Sequence, residues 1–149
     1  MIQFDLKNRV AIITGGAQGF GFSIAERFIQ SGATVIIWDL DEDAAKEAKE
    51  KLKSDNLSYQ ILDVTNSDQI DQNLKVIKNK FNKIDIFINN AGIAGLNTTV
   101  AKYPLDEWKK VINLNLNSVF YCCKAIVPIM EKNIYNTPNN IFVADFIGS

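Results

Sequence analysis

The hydrophobic residues of this chain fall into five short runs separated by longer segments with helical spacing. The runs cover residues 10–13, 34–38, 57–62, 84–88 and 141–144. Within each run the apolar residues are mostly continuous rather than alternating, which is typical of parallel strands that are covered on both faces. The segments between them are long enough for helices, so the pattern predicts an α/β fold built from a βαβ series.

Two of the predicted helices have a clear apolar face. The helix after the first run ends at Gly32, because glycine tolerates the left-handed turn that closes a helix. The charged segment 41–55 alternates in sign and predicts a solvated helix. The apolar faces of the first and third helices are formed by Ile24, Ala25, Phe28 and Ile29, and by Ile70, Leu74, Ile77 and Phe81.

The segment 106–133 predicts a long helix with an uncharged stretch in its middle. Residues 111–123 contain no charged side chain, and their apolar residues spread around most of the helix. We therefore expect burial on more than one side, in the core or in a homo-oligomer formed through residues 106–132. Asn113, Asn115 and Asn117, together with Lys124 and Pro128, would be costly in lipid, which argues against a membrane span.

Composition narrows the classes of partner. The chain has 149 residues, of which 47% are hydrophobic, enough for one domain (1–149) with a real core. Sixteen basic and seventeen acidic residues give a net charge of −1, so we expect a small-molecule partner rather than nucleic acid or a membrane surface. No signal-like stretch opens the sequence, which favours the cytoplasm. Without histidine, and with two adjacent cysteines, no metal site is expected.

The first predicted strand runs into a glycine loop, TGGAQGFG, at residues 14–21. A loop of this kind brings backbone N–H groups to the start of a helix, where phosphate binds well. The spacing is Gly15-x3-Gly19-x-Gly21, and no Lys-Ser/Thr pair follows, so the loop is not a P-loop. The alternative is a tight turn whose glycines only permit close packing.

Polar residues follow three further strands. Asp39 comes at the end of the second run, where a carboxylate can accept hydrogen bonds from both hydroxyls of an adenosine ribose and repel a 2'-phosphate. This favours NAD over NADP, and the uncharged Gln18 in the loop agrees with it. Asp63 follows the third run and could meet adenine, while the sequence INNAG ends the fourth at residues 88–92. The alternatives are a helix cap at Asp39 and ordinary turns elsewhere.

Together these motifs resemble the short-chain dehydrogenase/reductase family. They are the glycine loop, Asp39, the Asp63-Val64 pair, the NNAG sequence at residues 89–92 and the segment WKKVINLNLNSVF. The resemblance covers residues 5 to about 143 and implies a Rossmann-type, doubly wound parallel sheet of strand order 3-2-1-4-5 between two helix layers. It implies that Gly15, Gln18, Gly19, Phe20 and Gly21 wrap a pyrophosphate, and that Asp39, Asp63, Val64, Asn90, Ala91 and Gly92 hold adenosine.

The resemblance also implies a catalytic part. Asn115 matches an asparagine of the family's catalytic tetrad, where it would hold a proton-relay water. The alternative is a side chain that bonds the helix backbone and bends it. The family's acid is a tyrosine four residues before a lysine, and no such pair occurs, because the four tyrosines are followed at that distance by Asp63, Glu107, Ala125 and Asn139.

Three functions therefore compete at the level of sequence. The first is the NAD-binding portion of a short-chain dehydrogenase acting on a secondary alcohol or a 3-oxoacyl-type ketone, inactive as this chain. The ending ADFIGS departs from the family pattern, and an early stop or a frameshift would explain it. The second is a non-catalytic dinucleotide-binding or subunit-interaction module. The third is methyl transfer from S-adenosylmethionine, which leaves the double asparagine and the Asn115 segment unexplained.

Overall fold

Five parallel strands form one sheet in the computed structural model, which describes residues 4–136 and 142–145. The strand order is β3-β2-β1-β4-β5, as predicted, and every neighbouring pair is parallel. The strands are β1 (Val10–Thr14), β2 (Thr34–Asp39), β3 (Leu57–Ile61), β4 (Ile86–Asn89) and β5 (Phe142–Asp145). Each lies within two residues of the predicted run, and Ile141 falls outside the described residues.

The helices are α1 (Gly19–Gln30), α2 (Glu42–Leu52), α3 (Ser67–Phe81), α4 (Leu105–Ile112) and α5 (Ser118–Asn136). A 3₁₀ turn at Val100–Lys102 precedes α4, and a π-helical segment at Asn113–Asn117 joins α4 to α5. The N-terminus of α2 is capped by Asp41, which accepts the N–H of Ala44, and that of α3 by Asn66. These side chains satisfy donors that the first turn of a helix leaves open.

The core has two layers because the helices cover opposite faces of the sheet. Helices α1 and α2 pack on one face, against a cluster that includes Ile13, Ile37 and Ala45. Helices α3 and α5 contribute to the other, around Ile12, Trp38, Ile70 and Ile126. The continuous apolar strands are thus explained by burial on both sides. Since all five strands are parallel, their carboxyl ends come to a single edge of the sheet.

The predicted long helix differs from the observed one in two ways. The structure interrupts it with the π-helical segment, where the predicted pattern was continuous. Burial within the core on more than one side is not seen, since Ser118, Cys122, Ile126 and Met130 form one buried row while Phe120 on the outer side is 62% exposed. Burial of the outer side in a homo-oligomer stays a prediction. The outer face of α5 has no covering element within the described residues. Among them no helix is long and apolar enough to cross a bilayer.

Candidate functional site

A cavity of about 540 Å³ lies at the carboxyl edge of the sheet, where the predicted site residues converge. This volume is ordinary for a small-molecule site. Its wall is formed by strand ends and the connections that follow them, together with one side of the α4 region. Six of the predicted residues line it: Gly15, Asp39, Asp63, Val64, Ala91 and Gly92. The predicted residues Gln18, Gly19, Phe20, Gly21, Asn90 and Asn115 lie outside this lining.

The glycines of the loop serve different physical needs. A Cβ on Gly21 would lie 2.2 Å from the carbonyl oxygen of Gly15, so this position needs glycine for close packing. Gly19 has a φ of +54° and nothing within 4 Å of a Cβ, so its glycine is required by conformation and leaves open space beside the loop. The packing alternative therefore accounts for Gly21 but not for Gly19.

Helix α1 presents an open N-terminus to the site. Its first helical hydrogen bond runs from the N–H of Phe22 to the carbonyl of Gln18, so the N–H groups of residues 19–21 have no partner within the helix. Gln18 is the N-cap but makes no capping bond with its side chain, and the first turn contains no acidic residue. Gln18 and Phe20 are exposed, the latter by 84%. The geometry suits an anion, because three N–H groups and the positive end of the helix dipole point to the same place.

Asp39 lies between the cavity and the glycine loop. One carboxylate oxygen, Oδ2, accepts the N–H of Ala17 at 3.0 Å, and Oδ1 accepts the N–H of Asp41 at 3.1 Å. The capping alternative for Asp39 is wrong, because α2 is capped by the Asp41 side chain. A carboxylate at this edge can still accept hydroxyl donors, since its two oxygens offer about four lone-pair sites.

The Asp63-Val64 pair forms another wall of the cavity. Oδ1 of Asp63 accepts the N–H of Thr65 at 2.8 Å and its hydroxyl at 2.7 Å, which is the local turn foreseen as the alternative reading of this residue. Its backbone N–H donates to the side chain of Gln69. Val64 is buried and belongs to the core, so it can offer an apolar surface to a flat ring. The turn and the cavity lining are therefore compatible.

The NNAG sequence is fastened to β1 rather than free in the cavity. The amide nitrogen of Asn90 donates to the carbonyls of Thr14 and Gly15, at 3.0 Å each. The hydroxyl of Thr14 accepts the N–H groups of Asn90 and Ala91, at 2.9 and 3.0 Å. Asn90 thus positions the start of the glycine loop, while Ala91 and Gly92 face the cavity. Sequence reasoning did not single out Thr14 by itself, and its only signal in the sequence is a threonine that ends an apolar run directly before a glycine pair.

Asn115 connects the helical region to the connection after β4. Its Oδ1 accepts the N–H of Ile93 at 2.9 Å and its Nδ2 donates to the carbonyl of Ile93 at 2.8 Å. The alternative in which Asn115 bonds its own helix is not what the structure has, since both atoms bond another segment. It lies inside the π-helical segment, a feature that is frequent at functional sites.

Lys110 is a cavity residue that sequence reasoning missed. It lines the same cavity as Asp39 and Asp63, together with Asn113 and Leu114. Its ammonium donates to Glu107 at 2.6 Å, and this hydrogen bond, with the charge of Glu107, raises the pKa of Lys110. Lys110 therefore stays charged at neutral pH. No sequence motif marks this lysine, because its place in the wall depends on how α4 packs.

Comparison with known proteins gives a consistent assignment. A family model described as short chain dehydrogenase matches residues 9–137. A probable NADP-dependent mannitol dehydrogenase of Yarrowia lipolytica is 38% identical over 152 residues, covering 99% of this chain and 54% of the relative. A 3-oxoacyl-(acyl-carrier-protein) reductase of Chlamydia trachomatis is 35% identical over 130 residues, covering 85% and 52%.

A solved structure agrees with these sequence matches. The 3-ketoacyl-(acyl-carrier-protein) reductase of Brucella melitensis, complexed with NADH, superposes with a TM-score of 0.89 at 26% identity. The match covers 95% of this chain and 57% of that one. The chain therefore spans about half the length of the curated relatives it matches, 54% and 52% for the two above.

Proposed function

Because this chain belongs to the short-chain dehydrogenase family, we propose that residues 1–149 form an NAD(H)-binding domain of an alcohol or ketone oxidoreductase. The observation that carries the proposal is the shared edge at which the open N-terminus of α1 and the Asp39 cavity meet. A dinucleotide needs both, an anion site for its pyrophosphate and a cleft for its adenosine. Family membership removes methyl transfer from the candidates.

The residues at this edge divide the binding work. The N–H groups of residues 19–21 would hold the pyrophosphate, and Asp39 would accept the ribose hydroxyls. Val64, Ala91 and Gly92 would enclose the adenine with apolar and small surfaces, next to Asp63. The bound nicotinamide would supply or accept a hydride. Asn115 would hold a proton-relay water near it, as the family resemblance implies.

We propose that the cofactor is NAD rather than NADP. The carboxylates of Asp39 and Asp63 line the cavity. A 2'-phosphate on the ribose would be repelled by the Asp39 carboxylate, which in NAD would accept the ribose hydroxyls instead. The test is the ratio of the dissociation constants of NADPH and NADH, measured by calorimetry in the wild type and in Asp39→Ala. We expect wild type to favour NADH at least tenfold and the variant to lose most of this preference. An unchanged ratio would exclude Asp39 as the selecting residue.

We propose that this chain does not turn over substrate by itself. The sequence has no tyrosine four residues before a lysine, so the group that exchanges a proton with the substrate oxygen is missing. The experiment follows nicotinamide absorbance with purified chain, NAD or NADH, and a panel of secondary alcohols, ketones and 3-oxoacyl thioesters. Turnover above the blank would refute this part of the proposal.

A cytoplasmic location stays a prediction from the sequence.

A second candidate function is a non-catalytic module that binds another subunit, and the outer face of α5 favours it. Leu116 and Phe120 are both 62% exposed in the described structure, and Trp108 on α4 is 54% exposed. Sedimentation velocity tests homo-oligomer formation through this helix, with Leu116→Lys and Phe120→Lys as disrupting variants. Val76→Lys is the matched control, because Val76 is 58% exposed on α3. A monomer at all concentrations would contradict the self-association proposal.

A further inference from the structure

Asp39 joins two parts of the site that are distant in sequence. Its side chain lines the cavity and also accepts the N–H of Ala17, 22 residues earlier, at 3.0 Å. The backbone of the neighbouring Trp38 accepts the N–H of Gly15 at 2.7 Å. The start of the glycine loop is therefore held to β2 by a backbone hydrogen bond. The middle of the loop is held to β2 by the Asp39 carboxylate.

Between Ala17 and the packed Gly21, the loop residues Gln18 and Gly19 have few contacts. Gln18 is exposed, and no atom lies within 4 Å of a Cβ built on Gly19. Among the described residues, Ala17 is the last of the loop whose N–H has a hydrogen-bond partner before α1 begins. The Asp39–Ala17 bond is thus the last hydrogen bond that holds the loop ahead of the open N–H groups of residues 19–21.

We propose that Asp39 is a positioning residue for the phosphate-binding loop, in addition to its contact with the adenosine ribose. The inference rests on the proposed function, since it concerns how the same site holds a dinucleotide. Through Ala17 the carboxylate preorganises the loop, and this lowers the cost of ordering it when a phosphate binds. Asp39 keeps oxygen lone pairs for the ribose hydroxyls, so both roles are compatible.

The direction in which nucleotide affinity changes when Asp39 is replaced distinguishes a positioning role from a simple charge effect. Removal of a negative charge near a phosphate site favours an anion, because it removes repulsion. If Asp39 acts only through the ribose, a nucleotide without ribose hydroxyls binds Asp39→Ala as well as wild type, or more tightly. If Asp39 also holds the loop, that nucleotide binds the variant more weakly, against the charge effect.

The experiment measures the binding of ADP and of 2',3'-dideoxy-ADP to wild type and Asp39→Ala by calorimetry. We expect the variant to lose about tenfold or more in affinity for ADP and about three- to tenfold for dideoxy-ADP. Equal or tighter binding of dideoxy-ADP by Asp39→Ala would overturn the inference. If ADP then still loses affinity, the proposed function stands, whereas wild type that binds neither ADP nor NADH would contradict the function itself.

Two further variants keep the result interpretable. Asp43→Ala removes an exposed carboxylate from α2 with the same change in net charge, and we expect its affinities to stay within about twofold of wild type. Asp39→Asn keeps one acceptor oxygen and should recover most of the dideoxy-ADP affinity. Equal losses in Asp39→Asn and Asp39→Ala would contradict a role for the Ala17 bond. Hydrogen exchange of the Ala17 amide without ligand should be slow in wild type and faster in Asp39→Ala.

Discussion

At the level of single residues, the site depends on close packing that leaves no room for a side chain, and Gly21 is the clearest case. A methyl group there would meet the backbone of Gly15 at 2.2 Å and the amide of Asn90 at 2.6 Å. The backbone of Gly15 cannot shift easily. The side-chain amide of Asn90 is held as well, because it donates hydrogen bonds to the carbonyls of Thr14 and Gly15. The loop, the start of α1 and the end of β4 therefore form one packed unit.

We expect Gly21→Ala to lower the free energy of unfolding by about 2–3 kcal/mol through overpacking and to abolish NADH binding. Gly19→Ala is the control from the same loop, since its Cβ would enter open space and only the positive φ costs energy, about 1 kcal/mol. Denaturant unfolding of both variants measures the difference. A Gly19→Ala loss equal to or larger than that of Gly21→Ala would contradict this packing.

Asn115→Ala tests the other residue contact that crosses the site. Two hydrogen bonds to Ile93 are lost, so we expect a decrease of about 1 kcal/mol in unfolding free energy and faster hydrogen exchange at the Ile93 amide. The control is Asn97→Ala, which changes an exposed asparagine of the same connection. Exchange at Ile93 that does not change in Asn115→Ala would show that the bond has no part in holding this segment.

At the element scale, α5 combines a narrow buried row with an exposed outer face. Cys122 lies in that row at 1% exposure, and burial, with a smaller contribution from the neighbouring Cys123, raises the pKa of its thiol to about 12. The unfolded chain loses this proton near the ordinary pKa of 9.0, so between these values the native state binds more protons. The stabilisation is complete below pH 9.0 and decreases as the pH rises towards 12.

We therefore expect the free energy of unfolding of wild type to fall above pH 9.0 more steeply than that of Cys122→Ala. The extra slope should approach about 1.4 kcal/mol per pH unit. Urea unfolding at several pH values between neutrality and pH 10.5 provides the measurement, with Cys123→Ala as a control that keeps the buried thiol. Parallel profiles for wild type and Cys122→Ala would contradict the burial of this group.

The strands and their order could be predicted from the sequence, but the contacts at the site could not. Continuous apolar runs identify buried parallel strands within two residues, because burial on both faces leaves a pattern in the chain itself. The Asp39–Ala17 and Asn115–Ile93 bonds each join residues 22 positions apart and depend on side-chain geometry that no spacing encodes. The sequence could not tell whether the core or a second subunit covers the outer face of α5, since an apolar helix surface does not identify what packs against it.

In the molecule as a whole, the candidate binding residues lie at one edge of the sheet. The glycine loop, Asp39, Asp63 and the residues after β4 meet there because parallel strands end on the same side. The opposite end holds a structural ion pair, in which Asp85 bonds Arg9 at 3.1 Å and the N–H of Val10 at 2.8 Å. The chain covers about half of its relatives, 54% for the Yarrowia protein, and that half contains the edge at which we propose that a dinucleotide binds.

NADH binding at the cavity is tested most directly by a titration that follows the fluorescence emission of Trp38. This residue lines the cavity and is fully buried, whereas Trp108 is 54% exposed, so the Trp108→Phe variant isolates the Trp38 signal. Free tryptophan at equal absorbance corrects for light absorbed by NADH, and a cooperative unfolding transition verifies the fold. We expect saturable quenching that ADP reverses by competition. Unchanged Trp38 emission up to millimolar NADH in the folded chain would contradict the proposal that this cavity binds NAD(H).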